Sequence, residues 1–168
     1  MAGRRWHGTH VLAWWNSFPL DQKELHTVTS LESRLTGLAP WFLALLRVVA
    51  ALLFMSHGTM KLLGFPASDF QPPLLSLFGL AGIIEIVGGI LTILGLFTRP
   101  VALILSGEMA VAYFMAHAPQ GAFPLQNGGE SAVLFCFVFL YLVFAGPGAA
   151  ALDNIRRGLA TPVAHAAR

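Results

Sequence analysis

The chain has 168 residues, of which 56 % are hydrophobic and only 11 % charged; its formal net charge is +2. A soluble globular domain carries about 25 % charged residues, so this composition cannot cover a water-facing surface and most of the exterior must face lipid. The basic residues gather towards the termini, which reads as membrane orientation and argues against nucleic-acid binding. Cys136 is the single cysteine, so an internal disulfide, a CxxC redox pair and a thiolate metal cage are all excluded.

The chain divides into an N-terminal extension over residues 1–39, a transmembrane domain over 40–153 and a tail over 154–168. Arg4 and Arg5 resemble the start of a signal peptide, but the apolar stretch from Val11 to Phe18 is short and no cleavage pattern comes after it. Retention of the N-terminus is expected. Val11, Trp14, Trp15 and Phe18 share one helical face, the pattern of an interfacial helix. Thr29 with Glu32 three residues later has the form of a capping box that opens a short helix carrying Leu31, Leu35 and Leu38.

Four apolar runs come next, at about 40–63, 74–96, 100–118 and 130–145. The first three meet the length of about 20 residues that a membrane helix needs, and the fourth is short. Gly64 and Pro66 end the first, Pro72-Pro73 precedes the second, Pro100 opens the third and Gly146-Pro147-Gly148 stops the fourth. The expected fold is therefore all-α, a four-helix transmembrane bundle. Arg4, Arg5, Lys23, Arg34, Arg99, Arg156, Arg157 and Arg168 flank one side and only Lys61 the other, so both termini are expected in the cytoplasm.

Three charged residues, Arg47, Glu85 and Glu108, lie inside these runs, and each costs roughly 2.5–3.5 kcal/mol to insert. Helical rise puts Arg47 roughly 10 Å, Glu108 roughly 12 Å and Glu85 roughly 16 Å from the same membrane edge. One arginine and two carboxylates would then share a layer. On the second helix Ala81, Glu85, Gly88, Thr92 and Gly95 form a stripe of small residues around the glutamate, the pattern of close packing between membrane helices. On the first, Arg47, Phe54, His57, Gly58 and Lys61 fall within a narrow arc. His117 lies about half a turn from Glu108 on a regular helix, and is discounted as its partner. One arginine neutralises one carboxylate, which leaves the second protonated or paired with His57 or Lys61.

A second cluster joins His57 and Lys61 to Glu130, which opens the fourth helix on a face that ends at Tyr141. Each of these groups also has an ordinary explanation. Arg47, Glu85 and Glu108 would serve as a structural lock, Glu130 as a partner of a helix dipole and His57 as a hydrogen-bonded interior histidine. No HExxH or ExxH spacing occurs, so no metal is expected. A Walker loop, a GxSxG elbow and a GxGxxG following a strand are also absent.

Arg47, His57-Gly58-x-x-Lys61, Glu85-x-x-Gly88-Gly89 and Gly95-Leu96-Phe97-Thr98-Arg99 together resemble the DoxX family of small four-helix bacterial membrane proteins. Glu108, Asn127-Gly128-Gly129-Glu130, Gly146-Pro147-Gly148 and Leu152-Asp153 continue the resemblance, which covers about Leu43 to Asp153. It implies a membrane subunit of a redox system, since the family takes its name from a subunit of a thiosulfate:quinone oxidoreductase. The polar positions that carry over are Arg47, His57, Lys61, Glu85, Glu108 and Glu130. The leading expectation is an inner-membrane, quinone-linked subunit in which Arg47 holds the paired carboxylates, Glu85 or Glu108 exchanges a proton and His57 contacts the quinone. Electrons would come from a soluble or membrane partner protein, and a homo-oligomer stays open. The rivals are a scaffold that gathers soluble redox enzymes at the membrane and a small proton-coupled transporter.

Overall fold

A computed structural model describes residues 22–160. It forms two units, Met1–Leu38 and Ala39–Arg168. The interfacial segment expected at Val11–Phe18 lies outside the described residues. So do Arg4 and Arg5 at one end and Arg168 at the other.

Among the described residues the chain is all-helical. Helix α1 covers Gln22–Leu63, so Thr29, expected as a cap, lies within a helix already under way. Helix α2 covers Leu77–Leu94 and α3 covers Thr98–Ala112, which continues through a π turn at Tyr113–His117 and a 3₁₀ turn at Ala118–Gln120. A single turn, α4, covers Pro124–Asn127; α5 covers Glu130–Ala145 and α6 covers Leu152–Ala160. Among the described residues three segments are long and apolar enough to cross a membrane: Ser30–Leu63, Leu77–Leu94 and Thr98–Gln120. The fourth apolar helix, α5, has 16 residues, shorter than a regular span.

The second apolar run begins later than its composition suggests. Ser76 caps α2 by accepting the Gly79 N–H on its hydroxyl at 3.1 Å, which leaves Leu74 and Leu75 in the turn before it. The other end closes on Gly95, whose left-handed backbone (φ 63°) allows Gly95 N–H and Leu96 N–H to donate to Thr92 and Leu91 carbonyls.

Glycines set the packing within the second unit. A Cβ on Gly58 of α1 would stand 2.8 Å from the Gly82 carbonyl and 2.9 Å from the Glu85 Cβ, so α1 and α2 cross here almost backbone to backbone. Further along the same seam, Gly89 faces Met55 and Ala51. On the other side of α2, Gly88 receives the Leu105 side chain of α3. Helices α3 and α5 pair along their length beside a core of Phe54, Leu105, Phe139 and Leu142. Phe54 and Phe139 meet edge to face at 4.9 Å.

The connection after α2 is tied to α6 by Asp153. Its two carboxylate oxygens accept the Phe97 and Thr98 N–H groups at 2.9 and 2.8 Å, which caps the start of α3 from a distant part of the chain. Burial pushes the Asp153 carboxyl up, but these N–H bonds and the Arg156 charge outweigh it and hold its pKa below the ordinary 3.8.

Candidate functional site

Arg47 does not hold the paired carboxylates. It is 1 % exposed, and its guanidinium donates to the Thr92 and Ile93 carbonyls at 2.7 and 2.9 Å and to the Ala150 carbonyl at 3.0 Å. A cation is thus set against the last carbonyls of α2, where the helix dipole favours it. A Cβ on Gly95 would come within 2.5 Å of an Arg47 nitrogen, so the glycine that ends α2 also makes room for this cap. The expected shared layer fails because of register. Gly58 sits opposite Gly82 and Glu85, Ala51 opposite Gly89, and Arg47 opposite Thr92. Helices α1 and α2 are therefore antiparallel, and Arg47 lies about two turns, roughly 10 Å, from the level of Glu85.

The cation that meets Glu85 is Lys61. Its ammonium lies 2.5 Å from Glu85 Oε1, with the lysine side chain 15 % exposed and the glutamate side chain 2 %. Glu85 Oε2 is buried and has no partner among the described residues. Glu108 on α3 is within electrostatic reach of both Glu85 and Lys61, yet both of its carboxyl oxygens are buried without a hydrogen bond. One ion pair and one unpaired carboxyl thus stand side by side.

These groups line a cleft of about 730 Å³ between α1, α2, α3 and α5. His57 and His117 reach it as well, and the remainder of its wall is chiefly apolar, including Phe78, Ile104, Met109 and Phe135. His57 meets the Phe135 ring edge to face at 5.9 Å. Glu130 and Tyr141 are not part of this wall. Glu130 is exposed in the first turn of α5, and Tyr141 is 56 % exposed on its outer face.

His117 is the cleft residue that helical spacing misplaces. Nine residues at 100° each would carry it to the far side of the helix from Glu108. The π turn at Tyr113–His117 adds a residue to one turn and rotates the chain beyond it back by about a quarter turn. Its Nδ1 lies 3.0 Å from the Asn127 carbonyl, which can only accept, so Nδ1 carries the hydrogen. Asn127 is itself held by the Gly121 carbonyl and by the N–H of Gly129, each at 2.8 Å. Asn127-Gly128-Gly129 therefore serves as a bracket for the histidine. A regular helix gives no sign of this arrangement, although the run His117-Ala118-Pro119 marks where the helix must loosen.

Among the described residues no three His, Cys, Asp or Glu side chains converge to hold a metal ion. Cys136 is half-buried and free, 3.6 Å from the Ser106 hydroxyl.

Three long apolar helices, and charged groups folded into their shared interior, define a membrane protein. The DoxX family profile matches residues 42–118. An uncharacterized protein of Haemophilus influenzae is 55 % identical over 125 residues, an alignment that covers 68 % of this chain and 90 % of that protein. The chain belongs to the DoxX family. No solved structure matches it.

Proposed function

We propose that this protein is a multi-pass inner-membrane subunit of a redox system, a four-helix bundle with both termini cytoplasmic, and that its cleft receives the head group of a quinone. The observation that carries this reading is the Glu108 carboxyl, whose two oxygens lie buried and unpartnered beside the Lys61–Glu85 pair in a largely apolar cleft. A buried polar group without a partner costs about 1–3 kcal/mol, so a ligand that bonds to it gains what the free protein lacks. A flat, apolar ring with polar oxygens at its edge suits both the wall and the unpartnered Glu108 carboxyl, which in its protonated form donates to such an oxygen.

A quinone, when bound, accepts two protons together with two electrons, and those electrons would come from a partner redox protein. Lys61 Nζ, fixed by Glu85 Oε1, has two further hydrogens to direct at a ligand oxygen. Glu108 in its protonated form donates from one oxygen and, after losing the proton, accepts one back. His117 Nε2, left without hydrogen when the ring is neutral, is the second acceptor on this wall. His57 presents a ring edge beside Phe135 and orients a planar group. Arg47 belongs to the bundle's lock and not to this set. Glu130 and Tyr141 stand outside the cleft and have no part in the proposal.

Photolabelling the purified protein with an azido-substituted short-chain quinone tests it. Label is expected on peptides from the end of α1, from α2 and from α3, displaced by unlabelled short-chain quinone. Glu108→Leu, which removes the donor while roughly keeping the size of the side chain, is expected to weaken competition about tenfold through loss of one hydrogen bond. Labelling that no quinone displaces would refute the reading, and label confined to the lipid-facing side of α5 would do the same.

A further inference from the structure

The cleft that holds Glu108 has an apolar rim. Leu77, Leu80 and Ile84 of α2 line it, as do Ile104 and Val111 of α3 and Met115 in the π turn that follows. Each of the six is also exposed, by between 38 and 59 %. They stand at the edge of the cavity, with one side towards its interior and the other towards the exterior. Both segments are long and apolar enough to cross a membrane, so that exterior is hydrocarbon.

Register explains the opening. Gly88 of α2 receives the Leu105 side chain of α3, and the two helices touch there. Every cleft residue of α2 precedes Gly88, and on α3 all but Ile104 follow Leu105. The helices part on one side of that contact, and the gap between them is the cleft. Lys61 of α1 and Phe135 of α5 stand at its back. At the end formed by the connection between α1 and α2, Phe70 packs edge to face on Phe78 at 5.4 Å. The front carries the exposed rim. Glu108 shares one stripe of α3 with Ile104 and Val111, yet its carboxyl oxygens are buried. Only about 6 Å of helix separates it from the lipid-facing Ile104.

We propose that this front is a lateral entrance from the bilayer, and that the cleft takes a quinone with an isoprenoid tail that leaves between Ile84 and Ile104. The inference rests on the quinone reading above and adds to it the route and the seat of the tail. Polar groups and rim line the same cavity, so one ligand reaches both. A ring at Glu108 lies within about one turn of the rim, and a tail on that ring passes the exposed isoleucines without crossing a polar surface. The volume of about 730 Å³ is more than one ring fills, and lies within the roughly 300–1,000 Å³ of sites that take a whole small ligand.

Two photoprobes on the full chain in phospholipid nanodiscs test the proposal. Both are quinones with the same short isoprenoid tail, one with its azide on the ring and the other with its azide at the tail end. The ring azide is expected at Lys61 or within a turn of Glu108, and the tail azide at Leu80, Ile84 or Ile104. Ile104→Trp narrows the front and should weaken competition by a tailed quinone about tenfold, but by a tailless one less than about twofold. Leu103→Trp, exposed on the same helix but outside the cleft, should change neither. Tail label at Phe70 or His117, with ring label still near Glu108, overturns the lateral entrance and leaves the quinone reading standing. An Ile104→Trp variant that weakens both quinones equally, or neither, does the same. Ring label that no quinone displaces removes the quinone reading and this inference together.

Discussion

Removing the cation from the Lys61–Glu85 pair should destabilise the protein far more than removing both charges. Lys61→Met leaves Glu85, 1 % exposed, with neither oxygen paired in a wall of apolar side chains. Breaking a buried pair from one side costs about 3–5 kcal/mol, and the partial exposure of the lysine places this case near 3. For a chain of this size each kcal/mol shifts the melting temperature by about 2–4 °C, so Lys61→Met should melt about 6–12 °C lower. Lys61→Met with Glu85→Gln replaces an ion and its counter-ion by an uncharged pair and should recover to within about 1 kcal/mol of wild type. The two single costs and the double cost should then differ from additivity by about 2 kcal/mol. Cys136 supplies the readout, since a thiol-reactive dye reports exposure of the single half-buried cysteine as the detergent-solubilised protein is heated. Additive costs, or a Lys61→Met variant within about 1 kcal/mol of wild type, would mean that the pair is solvated and that the cleft is not a low-dielectric site.

Arg47→Lys should fail as a conservative change. A lysine cannot span the Thr92, Ile93 and Ala150 carbonyls from one planar group, and a loss of about 2–3 kcal/mol is expected in the same dye assay, with quinone competition unchanged. Gly58→Ala should separate α1 from α2, because its Cβ would meet the Gly82 carbonyl at 2.8 Å; about 1–3 kcal/mol is expected, along with weaker quinone binding as Lys61 moves from Glu85. Gly107→Ala on α3, where nothing lies within 4 Å, should be neutral or slightly stabilising. The pair of glycine variants separates a packing effect from a general effect of helix propensity.

Composition and hydropathy made the apolar helices legible, because burial in lipid imposes length and apolarity on every turn of a span. Burial cost also picked out Arg47, Glu85 and Glu108 before any contact was known. Their pairing was not legible. Heights counted from guessed helix ends cannot show that α1 and α2 meet at Gly58 and Gly82, and that register gives Glu85 to Lys61 and leaves Arg47 for the last carbonyls of α2. Arginines at helix ends carry no signature that distinguishes a cap from an ion-pair partner, and Arg99 repeats the lesson at the end of α5. His117 was lost to one extra residue in a turn, a change of helix type that hydrophobic periodicity does not report. Glu130 and Tyr141 were placed on a shared helical face, but that face turns outward.

The separation of Arg47 from the carboxylates changes what the polar interior means. If all three buried charges formed one network, structural and chemical roles could not be distinguished by mutation, since every variant would disturb both. Instead Arg47, from the interior of α1, closes the C-terminal end of α2 together with Thr92, Gly95 and Ala150, and its Nη groups are bonded to carbonyls. Lys61, Glu85 and Glu108 lie about two turns away at a wall of the cleft, with three carboxyl oxygens still unbonded. Arg47 Nε and Thr92 Oγ1 are unbonded at the other end, but a buried carboxyl left without a partner costs more than a hydroxyl does and contributes nothing to assembly. Such a cost is tolerated where a ligand or a proton completes the bonds, so chemistry is to be sought at the Glu108 end of the bundle and stability at the Arg47 end.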